Sequence, residues 1–127
     1  MLEDPRLSLV RGPTVVASND NWLGVDATTM AAAGAFALAG VSKDAAVVAT
    51  LAPGAYTAPV GSTDDGSGVA LLEVYDASTA AAVSVINAST RAFVGTGDSV
   101  LIPWFVISGT DALQLLVRAV GPTLTAL

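Results

Sequence analysis

The chain carries eleven carboxylate side chains and neither histidine nor cysteine, and this inventory sets the chemistry open to it. Without histidine there is no ordinary general base near neutral pH, no Ser-His-Asp relay and no imidazole ligand for zinc or haem. Without cysteine there is no thiolate nucleophile, disulfide framework or iron-sulfur cluster. Paired carboxylates remain as a route to acid-base work, as in glycoside hydrolysis. Asp64-Asp65, however, runs straight into Gly66 in a turn-forming stretch, and no residue is marked as its partner across a cleft. The expectation is a protein that is not an enzyme, with Asp64-Asp65-Gly66 closing a plain hairpin.

Oxygen-rich loops suit a hard cation such as calcium. Asn19, Asp20 and Asp26, with Asn21 between them and Asp4 as a further ligand, form the candidate cluster, and no other cofactor is expected. The competing reading is that these side chains close turns by bonding their own backbone, since the spacing is neither an EF-hand nor a nonapeptide repeat. A carbohydrate partner would need exposed aromatic rings, and Trp22, Tyr56, Tyr75 and Trp104 are the candidates. Trp22 is also placed to pin a neighbouring helix. Asn87-Ala88-Ser89 fits the glycosylation acceptor pattern, which belongs on a surface.

Strand-length segments rich in Val, Leu, Ile and Thr must position these residues. They run over Arg6–Arg11, Thr14–Ser18, Ala45–Leu51, Ala55–Val60, Val69–Tyr75, Val83–Asn87, Arg91–Val94, Ser99–Ser108 and Leu113–Val120. Gly12-Pro13, Pro53-Gly54, Asp64-Asp65-Gly66, Gly95-Thr96-Gly97-Asp98 and Gly121-Pro122 separate them as turns. The pattern predicts one all-β domain over residues 1–127, an antiparallel β-sandwich of jelly-roll or Ig-like type. One short helix is predicted between Asp26 and Leu38, ending near Gly34 or Gly40 and lying across one end of the sandwich, anchored by Phe36 and Leu38.

Two segments, Val69–Tyr75 and Val100–Ile107, are apolar on both faces, so each is either central and covered twice or part of an assembly surface. Pro103 cannot donate to a sheet ladder, which puts it at an edge or bulge and makes the adjacent Trp104 a contact candidate. Leu9–Thr14 is weakly echoed by Leu116–Thr123, as two similar strand-to-turn corners would require.

Only 13% of the residues are charged, 53% are hydrophobic and the mean hydropathy is +0.66. So little charge leaves surface available for packing against neighbouring copies, although Ala and Gly also raise such an index. A net charge of -6 excludes the basic face that nucleic acid demands. No apolar run is long enough for a membrane span, and Met1–Pro5 lacks the basic start and apolar run of a signal peptide, so an exported form would need its signal outside this sequence.

Asp4–Leu9, Val16–Trp22, Pro53–Ala58 and Gly68–Asp76 together resemble the bacterial pre-peptidase C-terminal domain, a secreted β-sandwich appended to exported enzymes and surface proteins. Ser89–Asp98, Phe105–Gly109 and Val117–Leu124 resemble the tandem module of large secreted bacterial repeat proteins. Pro103-Trp104 departs from that pattern, which usually has a small residue there. The resemblance implies a repeat cut at its linker, or a subunit whose ends meet head to tail, in an extracellular or cell-surface setting. The expected function is a structural module of a filament or surface protein, self-associating by tandem linkage or strand exchange. Leu7, Leu9, Pro103, Trp104, Phe105, Leu124 and Leu127 are its candidate contacts. The alternative is a calcium- or carbohydrate-binding adhesion module, or a non-catalytic appendage of a secreted enzyme.

Overall fold

The computed structural model describes residues 1–22, 27–78 and 87–126. Its strands are β1 (Pro5–Arg11), β2 (Thr14–Asn19), β3 (Ala45–Leu51), β4 (Gly54–Thr57), β5 (Val60–Ser62), β6 (Gly68–Asp76), β7 (Asn87–Val94), β8 (Trp104–Ile107) and β9 (Leu113–Val120). One helix, α1 (Ala27–Ala32), and a 3-10 turn at Pro122–Ala126 complete them. A five-stranded sheet has the order β2-β1-β4-β8, with β5 also paired to β1, and a four-stranded sheet has the order β3-β9-β6-β7. All pairings are antiparallel, so the chain is an all-β sandwich.

Period-two alternation builds the core. Leu7 and Leu9 of β1, Tyr56 of β4 and Ile107 of β8 face Val47 of β3, Ala70 and Leu72 of β6, and Leu115, Val117 and Ala119 of β9. β9 lies between β3 and β6 and is buried on both faces, which is why Leu113–Val120 reads as a nearly unbroken apolar run. β6 is two-sided for the same reason. The long apolar stretch from Ser99 yields only the short strand β8 and an isolated bridge between Leu101 and Val60, because Pro103 has no N–H to donate. β8 is an edge strand, as the proline implied.

Several local expectations are revised. The stretch Ala55–Val60 divides into β4 and β5, with Ala58-Pro59 between them. Asp64-Asp65-Gly66 does not close a hairpin, because β5 and β6 belong to different sheets and the turn carries the chain between layers. Asp64 stabilises that crossing by accepting from the Ser62 hydroxyl and the Gly66 N–H, which together hold its carboxyl below the usual range. The helix ends at Gly34, whose φ of 83° lets Gly34 N–H reach Ala31 O and Ala35 N–H reach Met30 O, a Schellman closure. Phe36 and Leu38 therefore lie beyond the helix, and the segment covers the outer face of the four-stranded sheet rather than an end of the sandwich. The predicted strand Val83–Asn87 falls, except for Asn87, outside the described residues. The echoed corners also diverge: Gly12-Pro13 closes the β1–β2 hairpin, whereas Gly121-Pro122 leads into a 3-10 turn.

The N-terminal residues are threaded against backbone. Leu2 is fully buried and its N–H donates to Val69 O at 2.8 Å. A Cβ on Gly121 would stand 2.1 Å from Leu2 O, and one on Gly68 would stand 2.5 Å from the Met1 carbonyl. Gly121→Ala is accordingly expected to destabilise the fold by about 1–3 kcal/mol in urea unfolding. Gly40→Ala, which meets open space, should stay within about 0.5 kcal/mol of the parent.

Candidate functional site

The two outer faces of the sandwich are finished differently, and the difference defines the site. On the four-stranded sheet, Met30, Phe36 and Leu38 pack over Ala46, Tyr75, Leu116 and Val120. Trp22 anchors this cover, its indole N–H donating to Ser42 Oγ at 3.1 Å and to Ala39 O at 3.3 Å. Beneath the cover lies Arg118, fully buried on β9 directly opposite Glu73 of β6. Its guanidinium donates to Glu73 Oε2 through Nε, at 2.9 Å, and through Nη2. Nη1 donates to Phe36 O at 2.6 Å, and the guanidinium carbon sits 4.3 Å from the Phe36 ring centroid and 5.7 Å from that of Tyr75. Tyr75 donates its hydroxyl to Glu73 Oε1 at 2.8 Å. Burial, then the Glu73 carboxylate, push the Tyr75 phenol up to about 12.

A second buried carboxylate joins the cover to the chain's last turn. Asp44, just before β3, accepts from Gly121 N–H at 2.7 Å, from Ser42 Oγ at 2.5 Å, and from the backbone N–H and hydroxyl of Thr123. Asp44, Glu73, Tyr75, Arg118 and Thr123 are all buried, and through them both clusters tie the cover to the four-stranded sheet. Sequence reasoning missed both. Glu73 and Arg118 did leave a signal, each being a charge inside an otherwise apolar strand, but only their opposed register makes them partners. Asp44 left none, since an aspartate ahead of a strand reads as an ordinary turn residue.

The five-stranded sheet presents an open outer face instead. Tyr56 and Phe105 turn inward, stacked with centroids 5.7 Å apart, so their neighbours Ala55, Thr57, Trp104 and Val106 turn outward. Trp104 is 73% exposed and Val106 56%. Cross-strand register continues from Trp104 to Thr57, from Thr57 to Val10 and from Val10 to Val15, a row crossing four strands. A bulge between Leu9 and Val10 leaves both Val15 and Val16 outside.

The sandwich is also asymmetric side to side. At β2 and β3 it is stitched by Asn19 Oδ1, which accepts from Ala46 N–H at 3.1 Å, and by Trp22 N–H bonding Asp44 O at 2.7 Å. At the opposite side, β8 borders a groove of about 760 Å³ floored by Val74, Leu113 and Leu115 and flanked by Asp76 and Asp111.

These positions sort the sequence candidates. Leu7, Leu9 and Leu124 are buried in the chain's own core, where a contact between folded copies does not reach them. Pro103 and Phe105 are half-buried beside the exposed Trp104, and Leu127 lies outside the described residues. Of the aromatic candidates, Tyr56 and Tyr75 are buried and Trp22 is bonded under the cover, so Trp104 alone of the four presents its ring. Both ends of the Asn19 amide are committed, to Ala46 N–H and Asn21 O, while Asp20 is exposed. Asp4 is buried and paired with Lys43 at 2.7 Å. Asp26 and the side chain of Asn87 lie outside the described residues, and among those described no three acidic, His or Cys groups converge as a metal site. Likewise, no described helix is long and apolar enough to cross a membrane.

Compared with known family models, curated proteins and solved structures, the chain matches none. The site therefore rests on its own geometry.

Arg118→Met strands the buried Glu73 carboxylate and is expected to cost about 3–5 kcal/mol, while the double change Arg118→Met with Glu73→Leu should cost less than Arg118→Met alone; urea unfolding of both variants checks this. For Tyr75, the unfolded phenol loses its proton near 10 and the folded one near 12, so the unfolded state binds fewer protons between them. Stability supported by the neutral phenol is thus present below pH 10 and lost as pH rises to about 12, and a Tyr75→Phe variant should lose less stability across that window.

Proposed function

We propose that this chain is a non-catalytic structural module that associates with copies of itself or with neighbouring modules of the same kind, in an extracellular filament or surface protein. The observation that carries this reading is β8, an edge strand among the described residues and without a charged residue, whose Trp104 and Val106 are exposed. Natural edges are normally guarded by charge, and an unguarded one is a template for pairing. The low charge content agrees with this reading.

Light scattering across a concentration series, with electron microscopy of the same samples, tests the proposal. Assemblies larger than one chain that grow with concentration are expected. A strictly monomeric chain at every concentration overturns it.

A carbohydrate-binding adhesion module is the second reading, favoured by one observation: the groove beside Trp104 combines an aromatic rim with Asp76, Thr90 and Asp111, a mixture suited to stacking on and hydrogen-bonding a neutral sugar. It predicts retention on a neutral polysaccharide gel that is lost in Trp104→Ala while the unfolding midpoint is unchanged. Absence of retention by the parent chain removes it.

A further inference from the structure

The first residues of the chain plug a socket made for them, and the link that holds them there is poorly satisfied. Leu2 is fully buried in the main core cluster, and its N–H donates to Val69 O at 2.8 Å, past Leu71, where the pairing of β6 with β9 ends. Gly121 and Gly68 wall the socket, each leaving to the backbone of Met1 and Leu2 the space that a Cβ would take. The link is Glu3 and Asp4, where the chain bends before entering β1 at Pro5. Proline restricts the residue ahead of it to extended backbone, which favours a straight path over a bend. Asp4 is buried, and while its Oδ2 pairs with Lys43, its Oδ1 has no hydrogen-bond partner among the described residues. A buried carboxylate oxygen without a donor costs stability that contact with water restores.

We infer that residues 1–4 are exchanged between copies of this chain: the segment leaves its own socket and seats Leu2 in the socket of a second copy, with Glu3 and Asp4 as the hinge. The inference rests on the self-association reading above and adds which segment is lent and what receives it. The fit of the occupant is already on view, because the seated Leu2 makes within one chain the contacts that an exchanged Leu2 makes between two. Exchange therefore conserves the buried contacts and differs at the hinge alone. A straightened hinge removes the bend ahead of Pro5 and opens the Asp4 carboxylate to water, so a second copy competes with the chain's own end, and competes better as concentration rises. Each copy has one segment to lend and one socket to fill, so exchange closes in a pair or continues along a row of copies through the same contact.

Cross-linking of the full chain tests the exchange, because the sequence has no cysteine of its own. Met1 and Thr125 are exposed and line one small recess beside the socket. A short bis-maleimide is applied to the double variant Met1→Cys with Thr125→Cys and to an equimolar mixture of the two single variants. Denaturing gels and peptide mass spectrometry then read the links. A link from position 1 of one copy to position 125 of another is expected in the mixture, rising with protein concentration. Gly121→Ala in the copy carrying Thr125→Cys obstructs the receiving socket and should reduce that link about tenfold, as should Leu2→Asp in the copy carrying Met1→Cys. Gly40→Ala should leave it unchanged. The double variant keeps Leu2 and Gly121 intact, so it separates links within a chain from links between copies even where a blocking variant fails to fold. Links confined to single chains, a link between copies that survives both blocking variants, or no link between these positions overturns the exchange while leaving association through β8 standing. A parent that is monomeric at every concentration overturns both.

Discussion

The burial of Arg118 is the constraint from which most of this architecture follows. A guanidinium removed from water is tolerated only when its charge and its donors are answered, and removing the answer costs several kcal/mol. Glu73 supplies the charge from the adjacent strand, fixing the register of β6 against β9. Phe36 supplies a carbonyl and an aromatic face from a segment with no strand pairing of its own. The pair thereby locates the cover, and the cover in turn excludes water from the pair. Asp44 repeats the device at the other end of the cover, where one carboxylate gathers donors from Ser42, Gly121 and Thr123.

This arrangement gives the two sheets different surfaces. The four-stranded sheet has the outer face of its central strands covered by the segment with Met30, Phe36 and Leu38 and carries the buried Glu73–Arg118 pair, while Thr50 of β3 and Phe93 of β7 stay exposed. The five-stranded sheet has one buried face, no carboxylates and an outer row that ends in an exposed tryptophan. The low overall charge is localised: the strands of both sheets carry few charged residues, Glu73 and Arg118 being buried as a pair, and most of the carboxylates lie outside the strands.

Much of the fold was legible in the chain. Alternation gave the strands at Ala45–Leu51 and Leu113–Val120 with the bounds they have. Of the two segments apolar on both faces, Val69–Tyr75 became the interior strand β6, while Val100–Ile107 gave only the edge strand β8 with an open face. Proline chemistry placed Pro103 beside an edge. Other features were not legible. The Asp64-Asp65-Gly66 turn has hairpin chemistry, but turn chemistry is local and does not say which sheet receives the next strand. Leu7, Leu9 and Leu124 read as apolar residues toward the chain's ends, and that they fill the chain's own core depends on which way β1 and the last turn face.

By itself, then, the sequence determined that imidazole and thiol side chains are absent, the all-β class and the alternation that sorts inward from outward residues, since each depends on residue type or on a period of two. Only the tertiary structure decided that Glu73 and Arg118 are partners, that Phe36 and Leu38 cover a sheet rather than an end, and that Trp104 is the one exposed ring among its four aromatic candidates. These are questions of which strand lies beside which, at sequence separations where no local pattern carries information. Trp104 illustrates the division: its neighbour Pro103 marked the edge in advance, but its exposure depends on Phe105 turning inward to stack on Tyr56, a contact made across the sheet by a strand far away in the chain.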